Sequence, residues 1–156
     1  MTQRLNYVQA SPDGFKAIRQ LQEHVDNSGL EHPLMELVKM RASQINGCAY
    51  CLDMHSKDAR AAGETEQRLY LLDAWRESPF YSERERAALA WTEALTRISD
   101  NDVSDALYED VRKQFGDKEL VELTLAIIAI NGWNRLAIPF RSEPGHYQPR
   151  TRAKSA

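Results

Sequence analysis

Long apolar runs are scarce in this chain of 156 residues. The longest, Leu125 to Ile130, falls far short of the roughly 18 residues that a membrane-spanning helix needs. No apolar stretch follows the start MTQRLNYVQASPDGF, so no signal peptide is expected and the protein is placed in a reducing, cytoplasmic compartment. A surplus of basic charge is missing as well. Lys and Arg number 20 against 23 Asp and Glu, and the net charge of −3 gives no electrostatic basis for binding nucleic acid or an anionic membrane. The short basic tail PRTRAKSA is expected to be a frayed terminus. Nowhere do apolar and polar residues alternate as they would along a half-buried strand. No low-complexity linker divides the chain. One domain over residues 1–156 is therefore expected, large enough to bury about two-thirds of its unfolded surface.

What is present is helical periodicity, which predicts an all-α, single compact domain of about six to seven helices. Ser11-Pro12 opens the first, with Phe15, Ile18, Leu21 and Val25 on one face, and Asn27-Ser28-Gly29 stops it. His32-Pro33 opens the second, with Leu34, Leu37, Val38 and Ile45 inward and Asn46-Gly47 as its stop. A third begins beside Cys48 and runs to Gly63, and a fourth spans Glu66 to Trp75. Ser82 and Glu85 have capping-box spacing for a fifth. Ser104 caps a sixth that Gly116 closes, and Asp117 is expected to cap the last, KELVELTLAIIAINGWNRLA. That helix is apolar nearly all round from Leu120 to Ile130, which calls for burial at the centre of the domain or at a subunit interface.

Cysteine occurs only twice, and both thiols fall in the ten residues NGCAYCLDMH, Asn46 to His55. With a helix beginning at Cys48, the thiols stand at i and i+3 and His55 at i+7, all on one face. A helix N-terminus stabilises a thiolate and lowers its pKa. Three uses fit such a pair. Two buried cysteines can serve as small hydrophobes, but that needs no histidine on the same stripe. Cys48, Cys51, His55 and Glu36 could hold zinc, although structural zinc sites usually draw on two separated ligand pairs. A redox dithiol accounts for the pair and the histidine together, and needs no metal or organic cofactor. The helix field alone favours Cys48 as the more acidic thiol, whereas a base at His55 favours Cys51.

The constellation of Glu36, CAYC and His55 resembles the alkylhydroperoxidase AhpD-like, single-repeat members of the carboxymuconolactone decarboxylase superfamily. The stretch ELVKMRASQINGCAYCLDMHSKDARAAGE and the later ELVELTLAIIAINGWNRLAIPFR carry the resemblance, over most of a core at residues 31–141. It implies an AhpD-like fold and an antioxidant thiol peroxidase that reduces hydroperoxides through a Cys48–Cys51 disulfide. Cys51 would attack the peroxide, Cys48 would resolve the product, and Glu36 with His55 would relay the proton. A thiol or dithiol partner, unidentified, would supply electrons. Homo-oligomers, commonly hexamers, are also implied. One departure stands out: peroxidase members carry a histidine directly before the second cysteine, and here Tyr50 holds that place, a poor base at neutral pH. Lactone decarboxylation, the superfamily's other chemistry, needs no thiol pair. A zinc-binding or redox-sensing module is the non-enzymatic alternative.

The remaining conspicuous residues are expected to be structural. Trp75, Trp91 and Trp133 lie in helical patterns as core or interface residues. His24, His32 and His146 have no second ligand at metal spacing, and Asn131, Asn134 and Arg135 are expected to satisfy buried backbone or to cross an interface.

Overall fold

The computed structural model describes residues 2–100 and 102–149, so the basic tail lies almost wholly outside the described residues. Among the described residues the chain is all helix, with no strand. The elements are α1 (Tyr7–Ala10), α2 (Pro12–Asp26), α3 (His32–Asn46), α4 (Ala49–Ala61), α5 (Glu66–Tyr70), a 3-10 turn (Leu72–Ala74), α6 (Glu83–Thr96), α7 (Asp105–Arg112) and α8 (Asp117–Phe140).

The boundaries follow the punctuation of the sequence. Pro12 and Pro33 stand in the first turns of α2 and α3, where a missing N–H costs nothing. Ser82 and Glu85 form the reciprocal capping box of α6, and the Ser104 hydroxyl caps α7. Three expectations need correction. Glu66 to Trp75 is not one helix: α5 ends at Tyr70, the Tyr81 hydroxyl takes the Arg68 carbonyl that the Leu72 N–H would have used in a continued helix, and the tightened turn buries Leu72 and Trp75. Gly116, not Asp117, is the N-cap of α8, and its N–H donates to the Glu119 carboxylate at 3.0 Å. That helix also runs on through Pro139 to Phe140, a last turn in which one lost hydrogen bond is tolerable. The short α1 was not expected. It is held by the Asn6 side chain, which accepts from Val8 and Gln9 N–H.

The central element is α3, not the last helix. Ten consecutive residues, Leu34 to Ser43, are buried, and α4, α6 and α8 all pack on it. Burial on every side includes four polar residues, Glu36, Lys39, Arg41 and Ser43. Each needs a partner within the protein, because a buried polar group without one is costly. The last helix is 24 residues long, and an 18-residue stretch of it with a mean hydropathy of 1.2 would by length and composition suit a membrane span. Much of that apolarity has a core role: Leu120, Leu123, Ala126, Ile127 and Ile130 are buried, and the helix packs on α2, α3, α4 and α6. Its other side leaves Val121 58% and Ile128 53% exposed.

Candidate active site

Gly47 closes α3 in the left-handed conformation, φ 69°, which a residue without Cβ adopts freely. The chain turns there directly into α4, and Cys48 N–H returns to the Ser43 carbonyl at 3.0 Å. Cys48 therefore becomes the N-cap of α4. Its sulfur accepts from the Cys51 N–H at 3.4 Å, the position in which a helix terminus stabilises negative charge. Both cysteines are free thiols, and each is only 1% exposed.

The two sulfurs share a proton unequally. Cys48 is lowered to about 7, chiefly because the Cys51 thiol donates to it, with burial opposing and the Cys51 N–H and the Asn134 amide helping. Cys51 is pushed up, since its proton is held in that same bond and burial disfavours its ionised form. Asn134 and Ser43 draw it partly back. The hydrogen bond from the Cys51 thiol, aided by the Cys51 N–H at the helix terminus, thus favours Cys48 as the resting thiolate.

On the neighbouring α3, Glu36 is 2% exposed and makes three contacts. Its Oε2 lies 2.9 Å from His55 Nδ1, its Oε1 accepts from Lys39 Nζ at 3.0 Å, and His32 Nε2 stands 3.6 Å from Oε1. Burial alone would raise the Glu36 pKa. The hydrogen bond and charge of His55, with Lys39, overcome it and hold the carboxyl at about 2. An ionised carboxylate only accepts, so His55 Nδ1 must carry a proton, and Nε2 of a neutral ring is left as the acceptor.

A cavity of about 510 Å³ joins the two pairs: Cys51 and His55 both line it, together with Tyr50, Lys39 and Trp133. Cys48 is not in that lining. All four predicted site residues therefore gather at the α3–α4 junction, Cys48 with Cys51 and Glu36 with His55. Among the described residues no hydrogen bond links the imidazole to either sulfur. The zinc arrangement is not assembled. Among the described residues, the grouping that brings metal-ligating atoms within 4.8 Å of one another is Glu36, His55 and Asp58, which includes neither thiol. The Lys39 ammonium on Glu36, and the Tyr147 hydroxyl donating to Asp58 at 2.7 Å, already use its carboxylates.

Residues 12–94 match the family described as the carboxymuconolactone decarboxylase family. The chain belongs to that family. It is 45% identical over 138 residues to YdfG of Bacillus subtilis, described as uncharacterized, with 88% of this chain and 94% of that one aligned. A crystal structure of an Agrobacterium tumefaciens protein of unknown function, described as a candidate antioxidant defence protein AhpD, superposes with a TM-score of 0.90 at 49% identity. That likeness covers 94% of this chain and all 100% of the other. A peroxidase-related protein of Ralstonia eutropha, described as an alkylhydroperoxidase AhpD core, shares the fold at 20% identity and a TM-score of 0.79, over 90% of this chain and 75% of that one.

Within this carboxymuconolactone decarboxylase-family fold, five residues at the site were not singled out from sequence as functional. Lys39 could have been, as the i+3 neighbour of Glu36 on a helix buried all round. Ser43 likewise lies on α3. Asn134 is wholly buried, accepts from Asn46 Nδ2 at 2.8 Å and donates to Ser43 Oγ at 3.2 Å, so it fixes the helix that faces the thiols. Asp58 and Tyr147 close the wall of the cavity. Tyr50 is half-buried against the thiols, and burial, its largest influence, raises its pKa, so it is no base.

Proposed function

We propose that the protein is a thiol peroxidase that reduces organic hydroperoxides by oxidising Cys48 and Cys51 to a disulfide. The supporting observation is the asymmetric pair: a thiol lowered to about 7 at a helix N-terminus, hydrogen-bonded to a second thiol on a cavity wall shared with His55. In the first step the shared proton passes to Cys48, and Cys51, as thiolate, attacks the outer peroxide oxygen. The O–O bond breaks, Cys51 becomes a sulfenic acid, and the leaving alkoxide takes a proton to give the alcohol. His55, oriented by Glu36, is placed to move that proton. Cys48, ionised again, then attacks the Cys51 sulfur and expels hydroxide, which leaves as water. Two thiols and one hydroperoxide thus yield one disulfide, one alcohol and one water, and a thiol or dithiol reductant restores the pair.

Lactone decarboxylation would leave the thiol pair without a task. The exposed Val121 and Ile128 of α8 support self-association, with a hexamer as the expected state, and a reducing cytoplasm suits a dithiol that must be re-reduced. The roles of the two sulfurs are tested by trapping with a sulfenic-acid probe. Cys48→Ser should be labelled at Cys51 by hydroperoxide, and Cys51→Ser should stay largely unlabelled. The reverse pattern would assign the attack to Cys48.

A further inference from the structure

We infer that the cavity beside Cys51 binds a neutral small molecule carrying an aromatic ring, so that the oxidant reduced here is an aryl-substituted hydroperoxide rather than hydrogen peroxide. The chemical part rests on the thiol-peroxidase proposal; the binding part does not.

Five aromatic side chains line the cavity: Tyr7, Phe15, Tyr50, Trp133 and Tyr147. They come from α1, α2, α4, α8 and the segment after α8, so the fold converges its rings on one place. Phe15 meets Trp133 edge-on, with ring centres 5.8 Å apart and planes at 70°, and Tyr7 lies 6.3 Å from Phe15. Trp133 also packs against the cluster that holds Cys48 and Cys51, which brings this aromatic wall next to the sulfurs. Its indole N–H already donates to Gln22 Oε1 at 2.9 Å. A ligand therefore has no polar demand to meet at the indole, which offers it ring surface. Gly132 helps to set the approach of α2 to α8, because a Cβ there would lie 3.1 Å from Ile18 Cδ1.

Size and charge narrow the class. A cavity of about 510 Å³ suits a small organic ligand, and is far larger than a molecule the size of water or hydrogen peroxide needs, roughly 30 Å³. Two cations stand in its wall, and both are matched: Lys39 by Glu36 at 3.0 Å and Asp26 at 3.7 Å, and Arg19 by Glu23 at 2.9 Å, so no positive charge is left over to select an anion. A peroxide group placed at Cys51 and His55 puts a ring substituent among Trp133, Phe15 and Tyr7. Three of the five rings, Tyr7, Trp133 and Tyr147, lie outside residues 12–94, the part that matches the family. The catalytic pairs lie inside it. Most of the ring wall thus comes from segments that the family match does not include, while Phe15 and Tyr50 lie within it.

The test uses the reduced full-length protein with cumene hydroperoxide, tert-butyl hydroperoxide and hydrogen peroxide. Each rate of disulfide formation is divided by that peroxide's rate with dithiothreitol, to remove intrinsic reactivity. One or two new ring contacts, worth about 1 kcal/mol each, should favour cumene hydroperoxide over the tert-butyl compound by roughly tenfold. Trp133→Leu should bring that ratio near unity and Trp133→Phe should restore much of it; Phe15→Leu serves if the tryptophan variants fail to fold. Cumyl alcohol, which cannot react, should bind the wild-type protein by calorimetry and lose affinity in the leucine variants. A normalised ratio near one, with no binding of cumyl alcohol, overturns the inference while leaving the peroxidase proposal intact. If no peroxide oxidises the pair, that proposal fails, and cumyl alcohol alone decides: binding that depends on Trp133 supports the aromatic site, and its absence refutes it.

Discussion

His55 Nδ1 lies 2.9 Å from Glu36 Oε2, and both side chains are buried at the junction of α3 and α4. The carboxylate fixes the imidazole tautomer and stabilises any imidazolium that forms, so the two groups should act as a unit. Glu36→Gln, His55→Gln and the double variant should slow single-turnover peroxide oxidation to similar extents, because members of a unit are not additive. All three losses should shrink at high pH, where solvent ionises the thiol unaided. Two single losses that multiply in the double variant would show independent action.

The same carboxylate should contribute to the acid stability of the fold, beside the lowered Glu85 and Glu93. Its pKa falls from 4.5 to about 2 on folding, so its stabilisation is complete above about pH 4.5 and fades until it is gone below about 2. The contribution is at most about 3 kcal/mol. Urea unfolding across this range should show wild-type stability falling with pH, and Glu36→Gln should start lower at neutral pH and flatten the acid limb. An unchanged acid limb in the variant would assign the effect to other carboxylates.

Thiolate absorbance in the ultraviolet should report one ionisation near pH 7, assigned to Cys48, with the second thiol ionising well above it. Cys51→Ala removes the thiol donor and should move the Cys48 midpoint up toward the ordinary thiol range. Asn134→Ala should shift it in the same direction. It should also destabilise the protein by about 1–3 kcal/mol, since Ser43 and Asn46 each lose one of two side-chain partners. A midpoint unmoved by either change would mean that the helix terminus alone lowers Cys48.

Gly47 permits the abrupt passage from α3 to α4. A Cβ there meets no atom within 4 Å, so any penalty for Gly47→Ala comes from its φ of 69°. About 1 kcal/mol of stability should be lost, measured by denaturant unfolding. A neutral substitution would show that the turn has another conformation open to it.

Much of this architecture was legible because its signals are local. Pro12, Pro33, Gly47, Ser82 with Glu85, and Ser104 each mark a boundary through their own backbone or hydroxyl chemistry. The i, i+3, i+7 spacing put Cys48, Cys51 and His55 on one face without any tertiary information. Glu36 came from the family resemblance, and the fold then supplied its physical place beside His55. What stayed hidden depends on contacts distant in sequence. The stop after Tyr70 is set by the Tyr81 hydroxyl, and the place of Asn134 by Asn46 and Ser43, some ninety residues away. Helical periodicity puts Trp133 in the core or at an interface, because it cannot separate a buried ring from one that lines a cavity. The apolar last helix calls for a central position or a subunit interface; it does pack on α2, α3, α4 and α6, yet α3, whose buried residues include Glu36, Lys39, Arg41 and Ser43, is the helix enclosed on every side. Polar residues that pair inside a protein look like surface when read along a chain.

The central claim is that Cys48 and Cys51 form a disulfide at the expense of a hydroperoxide. The most direct measurement is thiol titration of the reduced protein before and after one equivalent of an organic hydroperoxide, with mass spectrometry of the peptide that spans both cysteines. The account predicts loss of both free thiols, one equivalent of alcohol, and a mass two hydrogens lighter on that peptide, reversed by a dithiol. Two thiols still titrating after excess peroxide, or a bond formed only between subunits, would contradict it.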